Sequence, residues 1–381
     1  MIENQYRVGA EDVIYLAACM VNGDKPDPER VVGMDLEQLY KTANSHLLTC
    51  IVGYALEAAD VHDFAFIQAK SKAIRKIVLF DTERSAVLAE LEKAGIWYMP
   101  LKGCVLKEYY PQIGMRQMSD NDILYDASRE DLKIIMEGIG FTIEEKHGIG
   151  IHDHYFKPPV CNFEMHRKLF GPANDRRLLE YYQDVKARLL KDENNRYGYH
   201  FSPEDFYIYM IAHEYKHFYG AGTGLRSLLD TYVYLRRNSE ILDWIYIKGE
   251  LEKLGIADFE SKNRNLALKL FGDKMFTADD EMFDYFISSG KYGKLEHRIW
   301  NKVNKFGGGI RGKGKYLLSR IFPPIESVEK AYPFFYRHKI LLPFLIIFRI
   351  ALGLTVRRRK LWSELRALAK RKVRDKEDAG H

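Results

Sequence analysis

The sequence predicts an α+β protein in which a small mixed β-sheet is flanked by N-terminal and C-terminal helical lobes. Apolar residues recur near the helical period from Leu39 to Leu56 and from Ile74 to Leu91, so the chain up to about Gly95 reads as helix. Between Ile96 and Phe170 short strand-like runs alternate with helices, and after Gly171-Pro172 the helical pattern returns. At 381 residues and 46% hydrophobic content, the chain is long enough to bury a substantial core in two or three lobes. The expected regions are 1–95 (helical), 96–172 (mixed core), 173–300 (helical domain) and 301–381 (helical, with a basic tail).

The first strand is Trp97–Leu101. Lys102-Gly103 makes a turn where backbone approaches a ligand, and Cys104–Tyr110 is a helix whose N-terminus favours an anion. Ile123–Tyr125 is the next strand. A helix from Arg129 to Gly138, closed by Gly140, leads to a strand at Phe141–Glu145. His154–Lys157 and Asn162–His166 follow, joined by a reversal at Lys157-Pro158-Pro159-Val160. Beyond the sheet, Asp175–Val185 is helical, and Ser202 caps a helix with Pro203 at its first position that runs from Asp205 to Tyr219. Leu225–Arg237 is a further helix after the glycine-rich GAGTG. Lys305–Lys315 is the most flexible-looking segment and Pro323-Pro324 marks a break.

The balance of 58 Lys+Arg against 53 Asp+Glu gives a net charge of +5, which argues neither for nor against nucleic acid. Much of the excess lies in Arg357–Lys376, whose helical, polar tail suits RNA, an acidic partner or anionic lipid and equally suits a solvated face; Glu377–His381 is expected to fray. Cys19, Cys50, Cys104 and Cys161 lack paired spacing, which fits buried thiols in a reducing, cytoplasmic setting. The N-terminus lacks a secretory pattern. Ile340–Leu354 is too short to span a bilayer, contains Pro343 and Arg349, and reads as a buried helix, with a surface-lying helix followed by basic residues as the other reading. The abundant tyrosines and phenylalanines occupy apolar-periodic positions such as Phe206 and Tyr209, so they read mainly as core.

Chemistry concentrates at Asp120 and Asp122. Residues i and i+2 of a strand share a face, so both carboxylates can meet one divalent cation. Strand, glycine turn, helix, then a strand bearing Asp-x-Asp is the layout of a metal-dependent nucleotidyl transfer site. Two Mg2+ ions held by carboxylates serve such chemistry, with a nucleoside triphosphate as substrate. Glu164, on the next suitable strand, is the candidate third carboxylate and a base for the acceptor. Lys102 and Gly103 are placed to position phosphate, and Arg116 to reach either a triphosphate or solvent. His152 and His154 share one strand face, and His166 shares that of Glu164, where an imidazole binds metal, serves as a base or simply lines a cleft.

These residues carry a resemblance. The run PLKG, YP, R and SDNDILY, then GF, HDHYF and FEMHRKL, then AHEYKHFYGAGTGLRSLLD, resembles the uncharacterised bacterial nucleotidyltransferase family of the DNA polymerase β-like superfamily over Ile96 to Arg237. A looser similarity extends to the Pro-Pro and ILLPF region. The resemblance implies a polymerase β-like core, with Asp120 and Asp122 on the paired metal carboxylates and Glu164 on the third acidic position. Lys102-Gly103 falls where the wider superfamily has Gly-Gly or Gly-Ser, and the interval from Gly103 to Asp120 is longer than in compact members. The acceptor, whether small molecule, protein hydroxyl or RNA end, is not specified, and a catalytically silent nucleotide-binding scaffold would keep the same acids.

One motif competes. His213-Glu214-Tyr215-Lys216-His217 matches the pattern of a zinc hydrolase, in which histidines at i and i+4 bind zinc and the glutamate activates water. Thr223 stands where the extended pattern wants a third histidine. Phe206, Met210, His213 and His217 also recur at helical spacing, which places both histidines on a packed face. Arg226 and Asp230, four apart on one helix face, read as an ion pair, with a reach toward nucleotide as the other reading.

Overall fold

The computed structural model describes residues 2–143, 151–172, 174–275, 280–290, 293–323, 325, 328, 332–355 and 358–377. The expected residues Glu144, Glu145, Pro324, Arg357 and 378–381 lie outside them. The chain forms two compact units: residues 1–146, 150–216 and 224–291 in one, and 147–149, 217–223 and 292–381 in the other.

Alternation builds the sheet of the first unit. Its strands are Tyr98–Pro100 (β1), Asn121–Tyr125 (β2), Thr142–Ile143 (β3), His152–Lys157 (β4) and Cys161–His166 (β5), in the order β1-β2-β5-β4-β3. β2 and β5 run parallel and the other pairs antiparallel, giving a mixed sheet. Asn121, Ile123 and Tyr125, Cys161, Phe163 and Met165, and Asp153 and Tyr155 are buried on one face. Asp122, Glu164, His166, His152 and His154 therefore project from the other.

The helices before the sheet are α1 (Ile2–Asn22), α2 (Pro28–Val32), α3 (Leu36–His46), α4 (Thr49–Ala58) and α5 (Phe64–Ala94). Asp63 caps α5, accepting from the Phe66 N–H at 3.0 Å, and Gly95 closes it at φ 71°. After β1 come α6 (Gly103–Leu106) and, between β2 and β3, α7 (Arg129–Gly138). Ile77, Phe80, Val87 and Leu91 of α5 join Leu132 and Met136 of α7 over the apolar face of the sheet. Burying each such side chain stabilises by about 1.5–3 kcal/mol, so this face is closed to solvent and the opposite one is left for polar groups.

The remaining helices of this unit are α8 (Arg176–Tyr181), α9 (Pro203–Gly220, which runs on into the second unit), α10 (Leu225–Asn238), α11 (Trp244–Leu254), α12 (Ala257–Ala267) and α13 (Glu281–Ser289). The Asp205 N–H donates to Ser202 Oγ at 3.1 Å, the cap that starts α9. The helix expected over Asp175–Val185 is shorter, and a two-stranded hairpin, Leu189–Lys191 (β6) with Tyr199–Phe201 (β7), was not foreseen. Three residues per strand are too few to show alternation.

In the second unit, α14 (Leu295–Lys305) and α15 (Gly309–Ile321) pack with helix 358–377 around Ile299, Trp300, Val303, Tyr316, Ala367 and Leu368. Arg320 pairs with Glu364 at 3.0 Å. Two expectations change here. Much of the glycine-rich 305–315 segment is helix, and helix 342–354 is largely exposed, with Phe344 at 60% and Ile347 at 66%. Hydropathy measures the cost of exposure and does not name what covers a helix. No helix among the described residues is long and apolar enough to cross a membrane.

Within the first unit, the segment leading into Asp120 is tied to α10. Arg116 and Asp230 are 4% and 1% exposed. Arg116 donates from Nε and Nη2 to the two Asp230 oxygens at 2.8 and 2.9 Å, and Tyr110 Oη donates to the same carboxylate at 2.8 Å. Arg226, expected to pair with Asp230, donates instead to the Gln117 carbonyl at 2.7 Å. Breaking one side of a buried pair strands the other charge, so Asp230→Ala is expected to lower the unfolding free energy by about 3–5 kcal/mol. Urea denaturation measures it, and a loss under about 1 kcal/mol would show that the tie contributes little.

Candidate functional site

Strand register assembles the polar face. Parallel pairing of β2 with β5 sets Asp122 beside Glu164, and antiparallel pairing of β4 with β5 sets His154 opposite Glu164 and His152 opposite His166. His166 Nε2 lies 3.0 Å from Asp122 Oδ1 and 3.7 Å from Glu164 Oε2. His152 Nε2 and His154 Nδ1 lie 3.6 and 3.5 Å from the two Glu164 oxygens. Among the described residues two triads are close enough to hold a cation: Asp122, Glu164 and His166, and His152, His154 and Glu164.

Asp120 stands just before β2, two residues from Asp122, and belongs to neither triad. Its link to Asp122 is electrostatic. Burial and then the Asp122 charge push the Asp120 pKa up to about 6, against the pull of Arg226, Lys76 and Arg116. For Asp122 burial alone would act upward. The hydrogen bond and charge of His166, with Lys102 and Lys216, outweigh it and hold that carboxyl below its ordinary value. Burial, then His166 and His154, lower the His152 pKa to about 4, so that ring is neutral near pH 7.

The segment before Asp120 is fixed from several helices. Gln117 Oε1 accepts from Thr49 Oγ1 and the Cys50 N–H, each at 3.1 Å, while Lys76 Nζ donates to the Ser119 carbonyl at 3.1 Å. Gly114 has φ +85°, and a Cβ there would come within 3.1 Å of Cys50 Sγ and of Ile74 Cγ1. Asn121 is fully buried on the other face, accepting from Arg84 Nη1 at 3.0 Å.

Lys102, Gly103 and Arg116, the residues expected at phosphate, also make contacts within the protein. Arg116 is held by Asp230, which occupies its Nε and Nη2. Gly103 gives room to that guanidinium, since a Cβ there would lie 3.0 Å from Arg116 Nη1. The helix expected over Cys104–Tyr110 is the four-residue α6 followed by a 3-10 turn at Lys107–Tyr109, too short to build much of a dipole. Lys102 Nζ points to His213 Nδ1 at 3.1 Å. Burial lowers the Lys102 pKa to about 8, against the pull of Asp230 and Glu214.

The cation that sequence reasoning missed is Lys216, on α9. Burial lowers its pKa while Asp122 and Glu164 pull the other way, which ties it electrostatically to those carboxylates. It lies inside the HEYKH segment, whose other residues drew attention away from it. In that segment Glu214 is buried and His213 half-buried, while His217 is exposed, so the packed face expected for both histidines does not include His217. Glu214 is 1% exposed and accepts from Thr231 Oγ1 at 3.3 Å. His213 Nδ1 is engaged by Lys102 Nζ at 3.1 Å. Neither cation-sized triad includes His213, Glu214 or His217.

Nothing among curated proteins or solved structures matches the chain. A family model does: one described as an uncharacterised nucleotidyltransferase matches residues 33–272, more than half of the sequence. That stretch contains the whole five-stranded sheet, both triads and helices α9 and α10. With an α+β architecture of a mixed sheet between helices, the chain belongs to the uncharacterised nucleotidyltransferase family.

Proposed function

We propose that this protein is a metal-dependent nucleotidyltransferase that moves a nucleoside monophosphate from a nucleoside triphosphate to a hydroxyl acceptor. Family membership supports nucleotidyl transfer in general. The observation that carries the finer reading is the register pairing Asp122 with Glu164, with Asp120 two residues upstream of Asp122. Three carboxylates form an oxygen donor set suited to Mg2+. Asp120, Asp122 and Glu164 would hold two such ions, which supply charge neutralisation at the transferred phosphate.

The chain's own side chains do the rest. The acceptor oxygen forms a bond to the α-phosphorus, the bond from that phosphorus to the pyrophosphate oxygen breaks, and the acceptor proton passes to Glu164. Asp122, held ionised by His166 and its neighbouring cations, keeps negative charge at the site. Lys216, Lys102 and Arg226 surround the carboxylates with positive charge that a triphosphate can share. The Lys102-Gly103 turn remains the proposed approach for phosphate.

Nucleotide and Mg2+ binding, read together with pyrophosphate release, tests this in wild type and in Asp120→Asn/Asp122→Asn. The variant is expected to lose Mg2+-dependent nucleotide binding; unchanged binding would remove the site from these residues. Nucleotide binding by the wild type with no pyrophosphate released for any acceptor would instead favour a silent nucleotide-binding scaffold. Lys216→Met is expected to raise the KM for the triphosphate by about tenfold through loss of one charge-assisted contact, and an unchanged KM would take Lys216 out of the phosphate pocket.

Asp120 also predicts a pH signature of stability. Folding raises its pKa from 3.8 to about 6, so its stabilising contribution is complete below the unfolded value and is lost as pH rises through about 6. Asp120→Asn carries no charge to accommodate. It is expected to be more stable than wild type by about 1–2 kcal/mol at about pH 8, allowing for partial solvent exposure, and equal to it near about pH 4. Denaturant titrations at the two pH values measure the difference; a variant less stable at both would show that Asp120 is not strained.

A further inference from the structure

The carboxylates account for only part of the polar face. His152, His154, His166 and Glu164 form a block in which each residue of β4 stands opposite one of β5, His152 against His166 and His154 against Glu164. The His152 and His154 ring centroids are 4.8 Å apart, as are those of His152 and His166. His152 and His154 reach the two Glu164 oxygens from two directions, at 3.6 and 3.5 Å. Those separations exceed the roughly 2.7–3.2 Å of an N–H···O hydrogen bond. Each of His152, His154 and Glu164 thus offers one ligand atom, and the three atoms lie within 4.8 Å of one another. His166, by contrast, sits 3.0 Å from Asp122 and is engaged in orienting it.

We infer that His152, His154 and Glu164 form a binding site for a borderline divalent transition ion of the Zn2+ and Co2+ class, distinct in chemistry from the all-oxygen Mg2+ site. Imidazole nitrogens favour such ions and contribute little to Mg2+, which takes oxygen and water. Two nitrogens and one carboxylate oxygen give three protein ligands, the number that leaves a position open to water or substrate. Side-chain exposures of 29%, 32% and 25% leave the donors reachable from solvent while strands hold their spacing. The inference goes beyond nucleotidyl transfer and stands whether or not that reaction occurs, although Glu164 is common to both sites.

The probe is Co2+, added to untagged, metal-stripped full-length protein and followed by its visible absorption, with Zn2+ competing by calorimetry. One Co2+ per chain is expected. Electron-nuclear hyperfine spectra of wild type grown with 15N-histidine are expected to show directly bound imidazole nitrogen, a readout that needs no variant to fold. His152→Ala/His154→Ala is expected to weaken Co2+ binding by about 100-fold, and His154→Gln alone by about tenfold, as loss of ligands does. Asp120→Asn/Asp122→Asn is expected to keep the same Co2+ spectrum, so that failure of the Mg2+ site and failure of this one are told apart. The inference is overturned by absence of bound Co2+, by a nitrogen-free hyperfine spectrum, or by Co2+ binding lost in His213→Ala/His217→Ala and kept in His152→Ala/His154→Ala.

Discussion

Asp120, just before β2, and Asp122 within it stand two residues apart although their charges repel, and several helices of the first unit hold the segment that leads into them. The repulsion shows in the raised pKa of Asp120, where the Asp122 charge adds to burial. What keeps the chain in place is the pinning of residues 114–119 by groups outside the sheet. Thr49 and Cys50 on α4, Lys76 on α5 and Arg226 on α10 all bind this segment, and Asp230 holds Arg116 within it. Several contacts from different helices fix a loop more tightly than one, because each further contact is made by a segment whose entropy is already lost. The helices before and after the sheet in sequence thus act on the same six residues.

The same logic explains why the two faces of the sheet differ. α5 and α7 seal one face with aliphatic and aromatic side chains, which fixes strand register, since a slip by one residue would turn Ile123, Phe163 and Met165 outward. Register is what places Glu164 opposite Asp122. The apolar face therefore determines the geometry of the polar one, although the two share no side chain. The buried Asn121, held by Arg84 of α5, adds a polar lock at the same strand.

Local spacing made part of this legible. His152 and His154 at i and i+2, and Glu164 and His166 at i and i+2, each announce a shared face from sequence alone, and the caps at Ser202 and Gly95 announce helix ends. What sequence did not disclose is which strand neighbours which. The parallel β2–β5 pairing brings together residues more than forty positions apart, and Arg116 finds Asp230 over 114 positions. Lys216 was invisible for a different reason: a lysine within a helix carries no periodic signal, and its electrostatic link to Asp122 and Glu164 arises only in the folded chain. Hydropathy likewise located helix 342–354 without revealing its exposure.

Charge balance also explains why HEYKH takes the form it does. A buried carboxyl such as Glu214 is costly to ionise, and burial raises its pKa even though the Lys102 charge pulls it down and the Thr231 hydroxyl donates to it. Lys102 is in turn drawn between Glu214, Asp230 and His213, and it adds to the field that keeps Asp122 ionised. One ammonium thereby links the interior of α9 and α10 to the carboxylates of the sheet. The histidine and glutamate spacing that suggests zinc chemistry in one dimension stands, in three, beside two lysines, Lys102 near it in space and Lys216 within it in sequence, whose charges help keep Asp122 ionised.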